Sequence, residues 1–189
     1  MSAPTATKAD LLARDRAHLI HPLHDRKLHD AHGHVWVRGE GPYLFDADGK
    51  RFIDALAGLW NVVIGHGRKE LAEAAAAQME TLGYCSGYAG SSNPAAIELA
   101  ERLDAIMYPN IRRFFFTSGG GESTDSTIKT ARYYWRMKGQ PEKNRVICRQ
   151  WGYHGTTLAA MSATGIASYS PMFEPPVPGC VHRPSTYPY

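Results

Sequence analysis

The run Phe114-Phe115-Phe116-Thr117-Ser118-Gly119-Gly120-Gly121-Glu122-Ser123 constrains this chain more than any other stretch. A short aromatic segment of strand character empties into three consecutive glycines, and a helix-forming sequence begins at once. Glycine lets backbone N–H groups approach a ligand with no side chain in the way. The start of a helix adds partial positive charge at the same place. The pattern predicts an anion site with phosphate as its guest, and Thr117 and Ser118 add hydroxyls that a phosphate can use. Glu122 suits the first helical turn but has to point away from such an anion. A plain tight connection is the alternative reading of the same three glycines. Neither GxxxxGK[ST] nor GxGxxG occurs, so this is not one of the common nucleotide loops.

The flanking sequence supplies a frame for the run. Ala9 to Ile20 is mildly amphipathic and stops at His21-Pro22, because proline disfavours helix at the residue before it. Val35-Trp36-Val37, Tyr43-Leu44-Phe45 and Arg51-Phe52-Ile53 predict a small antiparallel meander, with Asp46-Ala47-Asp48-Gly49-Lys50 as a hairpin turn. Arg68 to Leu82 reads as a helix, and Asn93-Pro94 as the start of another that runs to about Met107. Arg112 to Phe116 predicts a strand, Glu122 to Lys138 a helix closed by Gly139, Arg145 to Arg149 a strand, and Thr156 to Ala163 a short helix. Alternating strands and helices after residue 60 predict an α/β layer. So few strands bury these helices poorly, and no helix covers the last strand, so the chain reads as the front part of a longer protein.

Composition narrows the partners. Against 21 basic residues stand 18 acidic ones, interleaved, for a net charge of +3; this forms no basic stripe of the kind that tracks nucleic acid. Cys85, Cys148 and Cys180 are far apart and odd in number, which fits reduced thiols in a cytoplasmic protein. The first ten residues have no apolar core of a secretory signal. No stretch approaches the roughly 20 apolar residues of a membrane helix. His18, His21 and His24 recur at three-residue spacing, yet Pro22 breaks the helix that would align them, so no metal site is assigned. Asp125 and Lys129, four apart on a predicted helix, read as a surface ion pair.

Two aromatic constellations complete the picture. Trp151-Gly152-Tyr153-His154-Gly155 follows a predicted strand, where ligands of open α/β sheets bind and an aromatic ring can stack on a planar one; an ordinary aromatic turn with a satisfied histidine is the other reading of these residues. Leu59-Trp60-Asn61 reads either as a pocket wall or as a core tryptophan.

From His18 onward the chain resembles the class III, or omega-amino acid, aminotransferases. The resemblance rests on pieces in family order: His21-Pro22; Tyr43-Leu44-Phe45-Asp46 with Asp48-Gly49-Lys50; Asp54-Ala55-Leu56-Ala57-Gly58-Leu59-Trp60-Asn61; Gly65-His66-Gly67; Phe115 through Glu122; and Tyr153-His154-Gly155-Thr156-Thr157. It implies a truncated fold type I, aspartate aminotransferase-like α/β fold. Residues 1–57 would form an N-terminal arm and small-domain meander, and 58–189 part of the large domain that binds pyridoxal 5'-phosphate. Backbone amides of Gly120 and Gly121 would hold the phosphate, and Tyr153 would stack on the pyridine ring. Leu59 and Trp60 resemble substrate-pocket residues. Tyr88, with Ala89, resembles positions that reach the neighbouring subunit's pocket in a homodimer.

The implied reaction moves an amino group from a small amine or omega-amino acid to pyruvate or a similar keto acid in two half-reactions. Where the family usually has serine after its glycines this chain has Gly121, which removes a hydroxyl donor to phosphate. Where it usually has alanine after the glutamate, this chain has Ser123. The family's Schiff-base lysine and pyridinium-pairing aspartate lie beyond the matched part, and neither Lys129 nor Lys138 stands at a matching position, so no catalytic residue is assigned and the chain alone is expected to be inactive. Two alternatives stand: a same-fold aminomutase or decarboxylase, and a non-catalytic remnant or dimerisation fragment.

Overall fold

The computed structural model describes residues 6–22, 25, 27, 33–171 and 173–186. His24 and Tyr187-Pro188-Tyr189 lie outside them. The chain forms two compact units, 1–93 and 94–189.

In the first unit, α1 (Lys8–His18) starts from a capping box: Thr7 Oγ1 accepts from the Asp10 amide while the Asp10 carboxylate accepts from the Thr7 amide. The strands β1 (Trp36–Glu40), β2 (Tyr43–Asp46) and β3 (Arg51–Ile53) form the expected antiparallel meander in the order β1-β2-β3. The β2–β3 turn works as its sequence dictates. Gly49 takes φ of +77°, open to glycine without a steric cost. The Asp46 carboxylate, 2% exposed, accepts from the amides of Asp48 and Lys50 at 3.0 and 2.9 Å. Burial by itself would raise the Asp46 pKa, but these amides together with the nearby Lys8 and His34 outweigh it and hold the carboxyl below its ordinary value. Helix α2 spans Lys69–Leu82, and none of its residues is buried.

The second unit contains α3 (Pro94–Ile106), α4 (Gly120–Met137), β4 (Val146–Arg149), α5 (Leu158–Ala163) and β5 (Cys180–Arg183). β4 and β5 pair in parallel, Val146 opposite Cys180 and Cys148 opposite His182, with α5 in the connection between them. Helix α4 packs on α5, and α5 on both strands. The core is small: Ile128 of α4, Cys148 of β4 and Ala163 of α5, with Val146, Ala159 and Cys180 against it. Burial, followed by the neighbouring Cys180, pushes the Cys148 thiol pKa up.

Three expectations change. Residues 111–117 form no strand among the described residues, because an extended segment becomes a strand only when a ladder partner satisfies its backbone. β5 arises in the proline-rich tail, where parallel pairing with β4 supplies what local pattern lacks. Asp125 does not serve as a surface ion pair for Lys129: its Oδ1 accepts from the Ala160 amide at 2.7 Å and from Thr157 Oγ1 at 3.0 Å, anchoring the start of α5.

Candidate functional site

The three glycines are built into the start of α4. Gly119 is its N-cap, in extended conformation and with no side-chain capping bond. The amides of Gly120 and Gly121 therefore belong to the first helical turn, whose N–H groups have no intrahelical acceptor. A Cβ placed on Gly119 or Gly120 would meet nothing within 4 Å, so the space beside these two glycines is open. An 18-residue helix stands behind them, and its dipole adds to their attraction for an anion.

The hydroxyls flanking the glycines are already engaged. Ser118 donates to Glu122 from its amide, at 2.8 Å, and from its hydroxyl. Glu122 thus folds back over the loop, and the Ser118 hydroxyl, followed by the Ser118 amide, holds its carboxyl below the ordinary value. Thr117 Oγ1 bonds Ser123 Oγ and donates to the Gly119 carbonyl at 3.1 Å. Anion binding at this turn consequently falls to backbone amides.

The loop carrying Tyr153 crosses the same helical turn. Gly155 has φ of +122°, and a Cβ there would lie 2.7 Å from Gly121 Cα and 3.0 Å from Ala160 Cβ. Gly121 is nearly as tight, since its Cβ would sit 3.2 Å from Thr157 Cγ2 and 3.3 Å from Thr157 Oγ1. Two hydroxyls fasten the crossing. Thr124 Oγ1 of α4 donates to the His154 carbonyl at 2.9 Å. Thr164, 1% exposed, accepts from the His154 amide at 3.0 Å and lies 3.0 Å from the carbonyl oxygens of both Gly155 and Ala160. The structure therefore joins the loop of Tyr153 to the turn of Gly120 and Gly121. The Tyr153 ring is about half exposed and meets Tyr169 edge to face.

Leu59, Trp60 and Tyr88 belong to the other unit. Ala57, Gly58, Leu59 and Trp60 all have positive φ, from 48° to 66°, making one left-handed turn. Leu59 is 63% exposed and Trp60 68%, so the core reading of that tryptophan fails. Tyr88 is largely exposed and opens a 3-10 turn, Tyr88–Gly90. A sequence reading passes over the residues that hold these features in place. Thr124 and Thr164 carry no local signal. Asp54 and His66 sit in the quoted motifs with no visible role.

Comparison with known proteins decides the family. The model of the class III aminotransferases ("Aminotransferase class-III") matches residues 25–189. The chain belongs to the class III aminotransferases. It is 36% identical over 178 residues to the putrescine–pyruvate aminotransferase of Pseudomonas aeruginosa, covering 94% of this chain and 39% of that protein. It is 42% identical over 139 residues to the beta-alanine–pyruvate aminotransferase of the same organism, covering 74% of this chain and 31% of that protein. Among solved structures, an (S)-enantioselective omega-transaminase from Thermomicrobium roseum superposes with a TM-score of 0.92 at 47% identity, covering 96% of this chain and 41% of that one. This class III chain thus spans about 30–40% of the length of these relatives, and its α/β fold is part of fold type I. The family's cofactor is pyridoxal 5'-phosphate. The residues present fit its phosphate: an uncapped, glycine-lined helix start with open space beside it.

Among the described residues no three His, Cys, Asp or Glu side chains gather as a metal site, and no helix is long and apolar enough to cross a membrane.

Proposed function

We propose that this chain supplies the phosphate-binding and ring-stacking half of a transaminase site, in a protein that transfers an amino group from a small amine or omega-amino acid to pyruvate or a similar keto acid. The uncapped turn of Gly120 and Gly121, with the Tyr153 loop fastened across it, carries this reading. The backbone amides of Gly120 and Gly121 hold the phosphate, aided by the α4 dipole. Tyr153 would stack on the cofactor's pyridine ring and help to hold it. Pyridoxal phosphate, when bound, supplies an electron sink for the substrate carbon that carries the amine. Leu59 and Trp60 wall the amine pocket, and the bulk of Trp60 favours flat or linear amines. Tyr88 serves the partner subunit's pocket in a cytoplasmic homodimer. All six of these residues lie in the 58–189 cofactor portion, and residues 1–57 form the N-terminal arm and meander. The names of the two Pseudomonas relatives, both acting with pyruvate, support the keto-acid side.

No lysine of this sequence is assigned to bond the cofactor, so titration with pyridoxal phosphate is expected to give saturable binding, weakened by Tyr153→Ala, with no single lysine fixed stoichiometrically by borohydride. Absence of binding overturns the reading. Gly121→Ser tests the phosphate contact directly. A new hydroxyl bonded to a charged group contributes about 1.5–3 kcal/mol, or roughly tenfold or more in affinity, provided Thr157 yields a few tenths of an ångström to the new Cβ. Unchanged affinity sinks this assignment.

A further inference from the structure

The turn at 57–60 poses a physical question of its own. L-residues in the left-handed region are disfavoured, and here Ala57, Leu59 and Trp60 adopt it together with Gly58. Such backbone persists only where its surroundings over-determine it. Core packing is not what holds it, since Leu59 and Trp60 point their bulk to the outside.

Backbone bonds close the turn, from Trp60 N to the Leu56 carbonyl at 2.7 Å and from Val62 N to the Ala57 carbonyl at 2.8 Å, and two polar side chains brace it, the first a carboxylate. Asp54 Oδ2 accepts from the Gly58 amide at 2.8 Å and lies 2.8 Å from His66 Nε2. The Asp54 side chain is only 9% exposed and that of His66 19%. Both are anchored by their backbones to the meander. Asp54 N donates to the Pro42 carbonyl at 2.8 Å, and His66 exchanges paired bonds with Gly41 at 2.9 and 3.0 Å. The imidazole lies against Gly39, where an added Cβ would come within 2.6 Å of His66 Cβ and Cγ. On the far side of the turn, Asn61 Nδ2 donates to the carbonyls of Gly58 and Leu59 at 3.2 and 3.0 Å. A continuous path therefore runs from the rigid hairpin through His66 and Asp54 to the Gly58 amide.

We propose that Asp54 and His66 are a positioning pair that locks the left-handed turn and thereby sets how Leu59 and Trp60 face an amine substrate; the substrate half of this statement rests on the pocket reading above. The hairpin carries the anchor, the buried carboxylate transmits it, and the strained turn displays the two side chains. Neither residue touches the reacting atoms.

The test reads the turn without requiring activity. The chain contains four tryptophans, so labelling with 5-fluorotryptophan gives a small set of fluorine resonances, with the Trp60 line identified by its loss in Trp60→Phe. In Asp54→Ala the Trp60 line is expected to shift by more than its width or to split, while the lines of Trp36, Trp135 and Trp151 stay in place. Asp54→Asn keeps an acceptor for the Gly58 amide and restores the line. His66→Ala, which leaves the bond from Asp54 to Gly58 in place, gives a smaller shift in the same direction and serves if Asp54→Ala fails to fold. A Trp60 line unmoved in His66→Ala and Asp54→Ala overturns the proposal. So does a general shift of all four lines that Asp54→Asn does not reverse, since that marks a role in the fold at large. The pocket reading fails separately, if Trp60→Ala leaves the range of accepted amines unchanged.

Discussion

The turn at 57–60 and the glycine turn at 119–121 are two exposed turns built by opposite means. The first forces alanine, leucine and tryptophan into a backbone region they avoid, and holds them there with a buried carboxylate and an asparagine amide. The second uses residues with no side chain, keeps ordinary helical geometry, and leaves its N-cap without a capping bond. A locked turn fixes the direction of the side chains it carries. An uncapped glycine start leaves its first amides without a side-chain acceptor, free to bond another group.

The comparison breaks most sharply at Gly155, whose bare Cα lets the Tyr153 loop cross α4. Gly155→Ala adds a Cβ 2.7 Å from Gly121 Cα at a φ of +122°. It is expected to cost roughly 3 kcal/mol from overpacking and backbone strain, read as a lowered denaturant midpoint for residues 94–189. A loss under half of that would mean that the crossing is looser than it looks.

Thr164→Val comes next. It removes the buried hydroxyl that accepts from the His154 amide, for about 0.5–1.5 kcal/mol. Thr164→Ser should recover most of this in the same chemical denaturation, since the bonds matter more than the methyl group.

The strained turn should respond with the opposite sign. Ala57→Gly removes a left-handed penalty of about 1–2 kcal/mol against a glycine entropy cost of about 0.5–1 kcal/mol. A net gain of about 0.5–1 kcal/mol is expected in thermal melts, and a loss would show that Ala57 is not strained.

The smallest effect is electrostatic. The Glu122 carboxyl is held below its ordinary value of 4.5, so its contribution is complete above that pH. The contribution is lost as pH falls through the lower folded-state value. Stability of Glu122→Gln should accordingly vary less between neutral and acid pH than that of the parent. Parallel profiles would assign the Ser118 contact no role.

Much of this molecule is legible from local chemistry. The hairpin at Asp46–Lys50 follows from a turn-forming aspartate and a glycine at positive φ. Helix α4 begins inside the glycine run, at Gly120, where the sequence reading places it two residues later at Glu122. Helix α2 matches its apolar period to within a residue, yet Leu71 and Met79 of that face stand exposed, since periodicity names a face without naming what covers it. Where a residue's partner is distant, the reading fails. Asp125 has an attractive lysine four residues away, but the start of α5 offers it an amide that needs an acceptor. The predicted strand at 112–116 has the right residues and no ladder.

By itself, then, the sequence determined the family, through motifs in order from His21 to Thr157, and the glycine-lined start of α4, the meander and its turn, which follow from residues within a few positions of one another. Only the tertiary structure decided that Ala57–Trp60 winds left-handed, that Asp54 and His66 hold it, and that Thr124 and Thr164 fasten the Tyr153 loop. Each of the latter depends on a hydrogen bond between residues four to thirty apart. A buried polar group takes whichever partner the fold brings to it, and no local pattern records that choice.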